Sequence, residues 1–316
     1  MKSWRIVAEI LLLAPLLALL GFLLGHNEYA WHATDVMGVG ALALAAMGFL
    51  TRLRIAASCW LAMGILLLAP YLPLFLPRAA AAPQGCELRV LYFKTKLSWG
   101  PREPEVARAL AAVEADIVII LETGDFARLR EALPENSPLR GYAPVGDPTG
   151  VVVGLSRFAN LGPVVQENGL STGRIRIEGR EVALTTGRSP RDFDGEPAAL
   201  RRFTNALHAL AAQPGPHIIG VDLNAGPQSI RARQIRHVLR DAHGEAGFGL
   251  GHTFPAPGRR LGAVLPFLRI DYLFSDRGLV PVASRVLGEA AGSTHYPVWA
   301  RYVFAGVGRP GYPCQG

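Results

Sequence analysis

Charged residues are scarce in the first quarter of this 316-residue chain. Residues 1–80 hold five of the 32 Lys/Arg residues and three of the 25 Asp/Glu residues, which leaves 27 basic against 22 acidic side chains in the remainder. That small surplus does not make the electrostatic surface of a duplex-binding protein, although it is compatible with an anionic substrate. The remainder is long enough for one sizeable domain with its own core.

Three apolar runs in the charge-poor segment predict membrane-spanning helices over residues 6–24, 36–50 and 55–76. The alternative is a secretory signal peptide, since Lys2 and Arg5 supply a basic start. No small-residue cleavage site follows the first run, so we favour three spans. Glu9 is the one charged residue within them, and we expect it to pair with Arg5 or to snorkel rather than to form an intramembrane functional site.

The distribution of basic residues predicts the orientation of the spans. Arg52 and Arg54 lie between the second and third runs, whereas residues 25–35 contain no Lys or Arg. The positive-inside rule then places the N-terminus in the cytoplasm and everything beyond Pro77 outside it, in a bacterial inner membrane. We expect a membrane region over residues 1–78, a linker over 79–85 and one domain over 86–316.

Cysteine is also scarce, with three residues in the chain. Cys59 lies in the third apolar run, where it serves as a small apolar residue. Cys86 precedes the first strand of the predicted domain, and Cys314 lies two residues from the chain end. Domain termini often lie close together, and an extracytoplasmic space preserves disulfides. We therefore predict a Cys86–Cys314 disulfide, with two free thiols as the alternative.

Predicted strands and helices alternate through residues 86–316, with a hairpin around Gly179-Arg180 among them. This order predicts a layered α/β domain with a mixed sheet. One apolar run, residues 217–221, ends in Asp222 and Asn224. Alternate strand side chains point the same way, so a carboxylate and a carboxamide leave the strand end together. An ordinary Asx turn is the alternative.

Three more polar residues interrupt or end apolar runs: Glu122, Asp271 and His295. Acidic side chains that converge at sheet ends, together with one His, are suited to metal-assisted hydrolysis of a phosphate ester. An Asp can also orient the His, as in other pairs of a base and an orienting acid.

Five motifs together resemble the endonuclease/exonuclease/phosphatase superfamily of deoxyribonuclease-I-like proteins. They are Asp116-Ile-Val-Ile-Ile-Leu-Glu122, Gly150-Val-Val-Val-Gly-Leu-Ser156-Arg157, Gly220-Val-Asp222-Leu-Asn224, Arg269-Ile-Asp271-Tyr272 and Ser293-Thr-His295-Tyr-Pro297-Val298. The resemblance covers residues 86–304. It implies a four-layer α/β sandwich with two central mixed β-sheets, and phosphoester hydrolysis with Mg²⁺ or Mn²⁺.

The resemblance also implies roles for the matched residues. Glu122 would be the principal metal ligand. Asp222 would position or deprotonate the attacking water, and Asn224 would orient Asp222 or the phosphate. Asp271 and His295 would bind and neutralise the scissile phosphate.

The chain departs from the superfamily pattern at three positions. Lys94 stands where the first strand usually ends in Asn, Gly187-Arg188 replace a phosphate-contacting His, and Thr294 replaces an acidic residue of the metal site. The carboxylate lost at Thr294 and the ammonium gained at Lys94 together change the local charge by about two units and weaken divalent binding. Lys94 then either pairs with Glu122 in the space of the metal, or contacts the phosphate together with Arg188.

Two functions follow as hypotheses. The first is a membrane-anchored extracytoplasmic phosphoesterase that acts on a phosphorylated small molecule, a phospholipid or a nucleic acid. The second is a catalytically inactive relative that binds an anionic ligand or a protein partner.

Overall fold

A computed structural model describes residues 2–24, 34–76, 84–95, 102–147, 151–191, 194–257 and 264–316. The chain divides into two compact units. The first comprises Met1–Leu76 with Gly226–Ile230, and the second comprises Pro77–Ala225 with Arg231–Gly316. The predicted linker lies mostly outside the described residues.

All three apolar runs of the first unit are helical. Their bounds are α1 (Lys2–Leu24), α2 (Thr34–Leu50) and α3 (Arg54–Leu68), and α3 continues as a 3₁₀ helix over Ala69–Phe75. Within the described residues, one helical stretch, Arg54–Phe75, has the length and apolar composition needed to cross a membrane, and α2 is a shorter apolar helix. The three-span arrangement therefore stays a prediction.

Polar contacts between these helices explain Glu9. Its carboxylate accepts hydrogen bonds from the backbone N–H groups of Ile55 and Ala56, at 3.3 and 2.6 Å. These donors belong to the first turn of α3 and have no partner within the helix itself. A carboxylate at this position also complements the helix dipole. Glu9 thus caps α3, where the sequence had suggested a pair with Arg5 or snorkelling.

The second unit contains two mixed sheets. The first sheet comprises, in spatial order, β12 (Leu279–Val286), β13 (Val298–Ala305), β1 (Gly85–Lys94), β2 (Ile117–Leu121), β4 (Val152–Ser156) and β3 (Ala143–Gly146). The second comprises β10 (Arg240–Asp241), β11 (Asp271–Ser275), β9 (His217–Asp222), β8 (Arg180–Arg188), β7 (Leu170–Ile177) and β5 (Ala159–Asn160), with β6 (Val165–Glu167) paired to β7. The β1–β2 and β8–β9 pairs are parallel, and the other pairs are antiparallel.

Strand alternation creates the layers. In β1, Leu88 and Val90 pack in the core between the sheets, whereas Leu91 and Phe93 pack against helices on the outer face. The helices that cover the two outer faces are α4 (Glu103–Ala111) and α5 (Phe126–Glu131) on the first sheet, and α6 (Pro197–Ala212) and α7 (Ile230–Val238) on the second. The short helix α8 (Ala242–Ala246) follows β10. The predicted α/β fold with two mixed sheets is confirmed.

Strand β9 of the second sheet packs closely on β1 of the first. A Cβ atom at Gly220 would lie 2.5 Å from the Tyr92 ring, so only glycine fits there. This contact brings the end of β9 next to the end of β1.

A disulfide joins Cys86 to Cys314, as predicted, with a Cα–Cα distance of 4.8 Å. The backbone supports it on both sides, because Glu87 N donates to Tyr312 O and Cys314 N donates to Glu87 O. The bridge closes a separation of 228 residues. It therefore ties the C-terminal tail to the first strand.

Removal of the disulfide is expected to lower the melting temperature of the oxidised full-length protein. Loss of a native disulfide typically costs about 2–5 kcal/mol, equivalent to roughly 5–15 °C for a domain of this size. The test compares the Cys86→Ala/Cys314→Ala variant with wild type by differential scanning calorimetry. Cys59→Ala is the matched control, because Cys59 is a free cysteine. Equal melting temperatures for all three proteins would contradict the prediction.

Candidate active site

The ends of two parallel strand pairs supply the candidate site. Lys94 ends β1, beside Leu121 in the neighbouring β2, and Glu122 follows directly. In the second sheet, Arg188 and Asp222 are register partners at the ends of β8 and β9. Because parallel strands end at the same edge of a sheet, each sheet presents one cation and one carboxylate.

Lys94 joins the two sheets electrostatically. Its Nζ atom lies 2.5 Å from Asp222 Oδ2 and 3.6 Å from Glu122 Oε1, and its side chain is 1% exposed. Arg188 lies farther out, 37% exposed, with guanidinium nitrogens 3.7 Å from Glu122 and 3.9 Å from Asp222. Two cations therefore alternate with two carboxylates.

Asp222 is fully buried and accepts a hydrogen bond at each carboxylate oxygen. Its Oδ2 atom accepts from Lys94, and its Oδ1 atom accepts from the backbone N–H of Asn224 at 2.9 Å. Burial raises the pKa of Asp222, but the charges of Lys94 and then His295 lower it, and the net pKa lies below the usual value. Asp222 is thus an anion at neutral pH.

Asn224 and Glu122 both have a left-handed backbone, with φ values of 48° and 60°. Asparagine adopts this conformation more readily than most residues other than glycine, whereas glutamate does so rarely, and such rare conformations are concentrated at functional sites. The Asn224 side chain donates to Ser189 O at 2.7 Å, which fixes the turn after β9. Arg231 supports the same contact by donating to Ser189 Oγ at 2.7 Å and to Leu223 O at 2.6 Å.

Asp271 and His295 form a buried pair beside Asp222. Asp271 is the register partner of Asp222 on β11, and its Oδ2 atom lies 2.7 Å from His295 Nδ1. Thr253 Oγ1 donates to the same carboxylate oxygen at 2.7 Å. His295 is further positioned by Ser293, whose hydroxyl accepts from the His295 N–H. Asp271 therefore orients the imidazole, as expected for a pair of a base and an orienting acid.

Tyr92 is a site residue that the sequence did not reveal, since a tyrosine in an apolar strand is typical of a core position. It lies two residues before Lys94 on β1 and is 1% exposed. Burial and the nearby charges of Asp271, Asp222 and Glu122 raise the pKa of Tyr92 well above its usual value, so the hydroxyl keeps its proton. Among the described residues, none accepts or donates a hydrogen bond at this hydroxyl.

The one group in the described part of the chain with ligand atoms placed for a metal is Asp222, Asp271 and His295, within 4.8 Å of one another. Glu122, the predicted principal ligand, is not in it. Mg²⁺ requires oxygen ligands at about 2.0–2.1 Å, whereas the Lys94 ammonium already lies between Glu122 and Asp222. Lys94 and Arg188 balance the charges of Glu122 and Asp222, so these two carboxylates have no net negative charge left for a divalent ion. The residues do not fit a metal between Glu122 and Asp222.

A sequence profile described as the Endonuclease/Exonuclease/phosphatase family matches residues 91–295. The chain belongs to this family, whose members are phosphoric-ester hydrolases and generally depend on a divalent metal. No curated protein matches the chain.

Solved structures support the same fold at low sequence identity. A mannosyl-6-phosphatase from Bacteroides thetaiotaomicron is 18% identical, with a TM-score of 0.53, and the match covers 69% of this chain and 100% of that one. An endonuclease/exonuclease/phosphatase family protein from the same organism is also 18% identical, with a TM-score of 0.52 and coverage of 71% and 97%. Truncated TDP2 from Caenorhabditis elegans is 19% identical, with a TM-score of 0.50 and coverage of 69% and 97%.

Two substitutions at Asn224 separate backbone strain from the side-chain contact. Both Asn224→Gly and Asn224→Ala remove the bond to Ser189, but glycine adopts a positive φ without strain. We expect Asn224→Ala to be less stable than Asn224→Gly by about 1 kcal/mol or more, measured by urea unfolding of the full-length protein. Equal stabilities would show that the left-handed conformation is not imposed by the fold.

Proposed function

We propose that the second unit is a phosphoric-ester hydrolase. The observation that carries this proposal is the pairing of Asp222 with Asp271 across β9 and β11, which places the Asp271–His295 pair beside the Asp222–Asn224 turn. The left-handed backbone of Glu122, which is rare for a glutamate, supports a site whose geometry is imposed by the fold. These residues are the proposed catalytic set.

In the proposed reaction, water forms a bond to phosphorus and the ester P–O bond breaks. The ionised Asp222 accepts a hydrogen bond from the attacking water and orients it. His295, held by Asp271, contacts a phosphate oxygen, and Arg188 reaches the same group from the exposed side. The departing oxygen gains one proton overall, so that water and ester give an alcohol and a phosphate.

The substrate class follows from the family and remains broad. A phosphorylated small molecule, a phospholipid headgroup and a nucleic acid all present the phosphate oxygens that Arg188 and His295 would contact. The similar Bacteroides protein is named as a mannosyl-6-phosphatase. Phosphomonoesters of small molecules are therefore the first substrates to test.

We further propose that the first unit anchors the chain in a bacterial inner membrane, with the hydrolase domain outside the cytoplasm. Large apolar side chains on the exterior of α1–α3 support contact with lipid. Examples are Leu11 at 68%, Leu50 at 85% and Ile55 at 68% exposure. The Cys86–Cys314 disulfide supports an oxidising compartment.

A second candidate function is anion binding without hydrolysis. The short Lys94–Asp222 contact favours it, because a carboxylate committed to an ammonium is a weaker base. Both candidate functions predict phosphate binding, but only the first predicts turnover of a phosphate ester.

Loss of the proposed catalytic residues is expected to lower turnover strongly. With the full-length protein and a panel of phosphomonoesters and phosphodiesters, Asp222→Asn and His295→Ala should each lower kcat/KM by about 10²–10⁴-fold, the usual contribution of acid–base groups. His237→Ala is the control, since His237 is an exposed histidine on α7. Turnover that survives both substitutions would contradict the assignment, and absence of turnover in wild type would favour the second candidate.

Protease accessibility tests the proposed topology. In intact spheroplasts of a Gram-negative host, added protease should degrade the domain beyond residue 84 while a tag at the N-terminus stays protected. Protection of the domain until the membrane is permeabilised would contradict extracytoplasmic placement. A cytoplasmic protein measured in the same sample shows whether the spheroplasts are intact.

A further inference from the structure

The Lys94 ammonium lies near the carboxylates of Glu122 and Asp222, whose negative charges a cation must balance. We propose that this ammonium is a built-in replacement for the divalent metal, so that the domain binds a phosphate group through the fixed charges of Lys94 and Arg188 without Mg²⁺ or Mn²⁺. The inference rests on the proposed function insofar as the ligand is a phosphate ester.

The first support is position. Lys94 Nζ lies within 4 Å of carboxylate oxygens from both sheets, Glu122 after β2 and Asp222 at the end of β9. Bridging two carboxylates from different elements is the electrostatic role of a bound cation. The Lys94 ammonium can bridge the two carboxylates in the same way, with a single positive charge and directional N–H donors.

The second support is charge. Glu122 and Asp222 contribute two negative charges, and Lys94 and Arg188 contribute two positive charges at 2.5–3.9 Å. The four groups are already neutral together. A divalent ion added among them would place two positive charges beside two existing cations, and the neighbouring carboxylate of Asp271 already contacts His295.

The third support is the set of ligand atoms. Both oxygens of Asp222 accept hydrogen bonds, one from Lys94 and one from Asn224. Thr294 offers a neutral hydroxyl, and this buried hydroxyl has no hydrogen-bond partner among the described residues. A metal would have to displace the ammonium from Asp222 before it could bind there, and would gain no carboxylate from Thr294.

Buried polar atoms of the site without a hydrogen-bond partner among the described residues include two carboxylate oxygens, Glu122 Oε2 and Asp271 Oδ1, and two donors. The buried Tyr92 hydroxyl and Arg188 Nε have no hydrogen-bond partner in the described part of the chain, and both are donors. With the exposed side of Arg188 they form a donor set for phosphate oxygens. The same atoms cannot serve as ligands for a divalent cation, because a guanidinium and a protonated phenol carry no free anionic oxygen.

The experiment measures metal and phosphate binding separately on EDTA-treated full-length protein. Free Mn²⁺ is followed by electron paramagnetic resonance, and binding of inorganic phosphate by isothermal titration calorimetry. Wild type is expected to show no saturable Mn²⁺ site with a Kd at or below about 1 mM, which is the weak end of the Kd range for cation sites in proteins. Its affinity for phosphate should change less than twofold between EDTA and Mn²⁺ buffers. A 1:1 Mn²⁺ site in wild type that Asp222→Asn removes would overturn the inference.

A double variant then replaces the Lys94 ammonium by a site for a metal ion. Lys94→Asn with Thr294→Asp should create one saturable Mn²⁺ site, at least tenfold tighter than any in wild type, and should make phosphate binding depend on Mn²⁺. Arg176→Asn removes one exposed positive charge elsewhere and should change neither measurement. If the double variant does not fold, as judged by circular dichroism, the wild-type titrations still decide the question.

The outcomes distinguish this inference from the proposed function. Wild-type turnover that appears only with Mn²⁺ would overturn the inference and leave the hydrolase proposal standing. Phosphate binding without metal and without turnover on any ester would support the inference and overturn the hydrolase proposal. Phosphate binding that is absent in every buffer would overturn the inference as well.

Discussion

The ion pair between Lys94 and Asp222 connects the two sheets at the edge where the candidate site lies. Lys94 extends from the first sheet and Asp222 from the second, and both side chains are almost completely buried. Removing one partner of such a pair commonly costs about 3–5 kcal/mol, because the other charge stays buried without compensation. The fold must therefore keep the ends of β1 and β9 together, and the Gly220–Tyr92 contact does so sterically.

The positions of the other site residues follow from this junction. Strand register places Arg188 and Asp271 on either side of Asp222. Glu122 lies near Lys94 because it directly follows Leu121, the register partner of Lys94. The Asn224 turn then closes over the strand end through Ser189. The resulting cluster of alternating charges contains its own cations. Members of the family generally depend on a divalent metal. In this chain, a lysine ammonium contacts the site carboxylates of Glu122 and Asp222.

Sequence patterns predicted much of the fold because they reflect local physics. Alternation in β1 and the apolar run of β9 are visible in the residues themselves, and the Cys86–Cys314 bridge followed from where its cysteines lie relative to the domain ends. The strand β12 is difficult to predict from sequence, because Pro281 and the adjacent bulge interrupt its alternation. The cap that Glu9 provides for α3 depends on a contact between helices far apart in sequence, which no local pattern encodes.

The site could be predicted only in part, for the same physical reason. Strand-end motifs identified Glu122, Asp222, Asp271 and His295, and the substitution at Lys94 raised the prospect of a pair with Glu122. That the ammonium lies closest to Asp222 depends on the packing of one sheet on the other. The role of Tyr92 likewise depends on the tertiary structure, because only the surrounding charges distinguish it from a core tyrosine.

An anomalous diffraction experiment on crystals of the full-length protein grown with MnCl₂ tests the central claim most directly. The account predicts no anomalous peak between Glu122 and Asp222, with the Lys94 ammonium in contact with both carboxylates. A manganese peak at that position, with Lys94 displaced from Asp222, would contradict it.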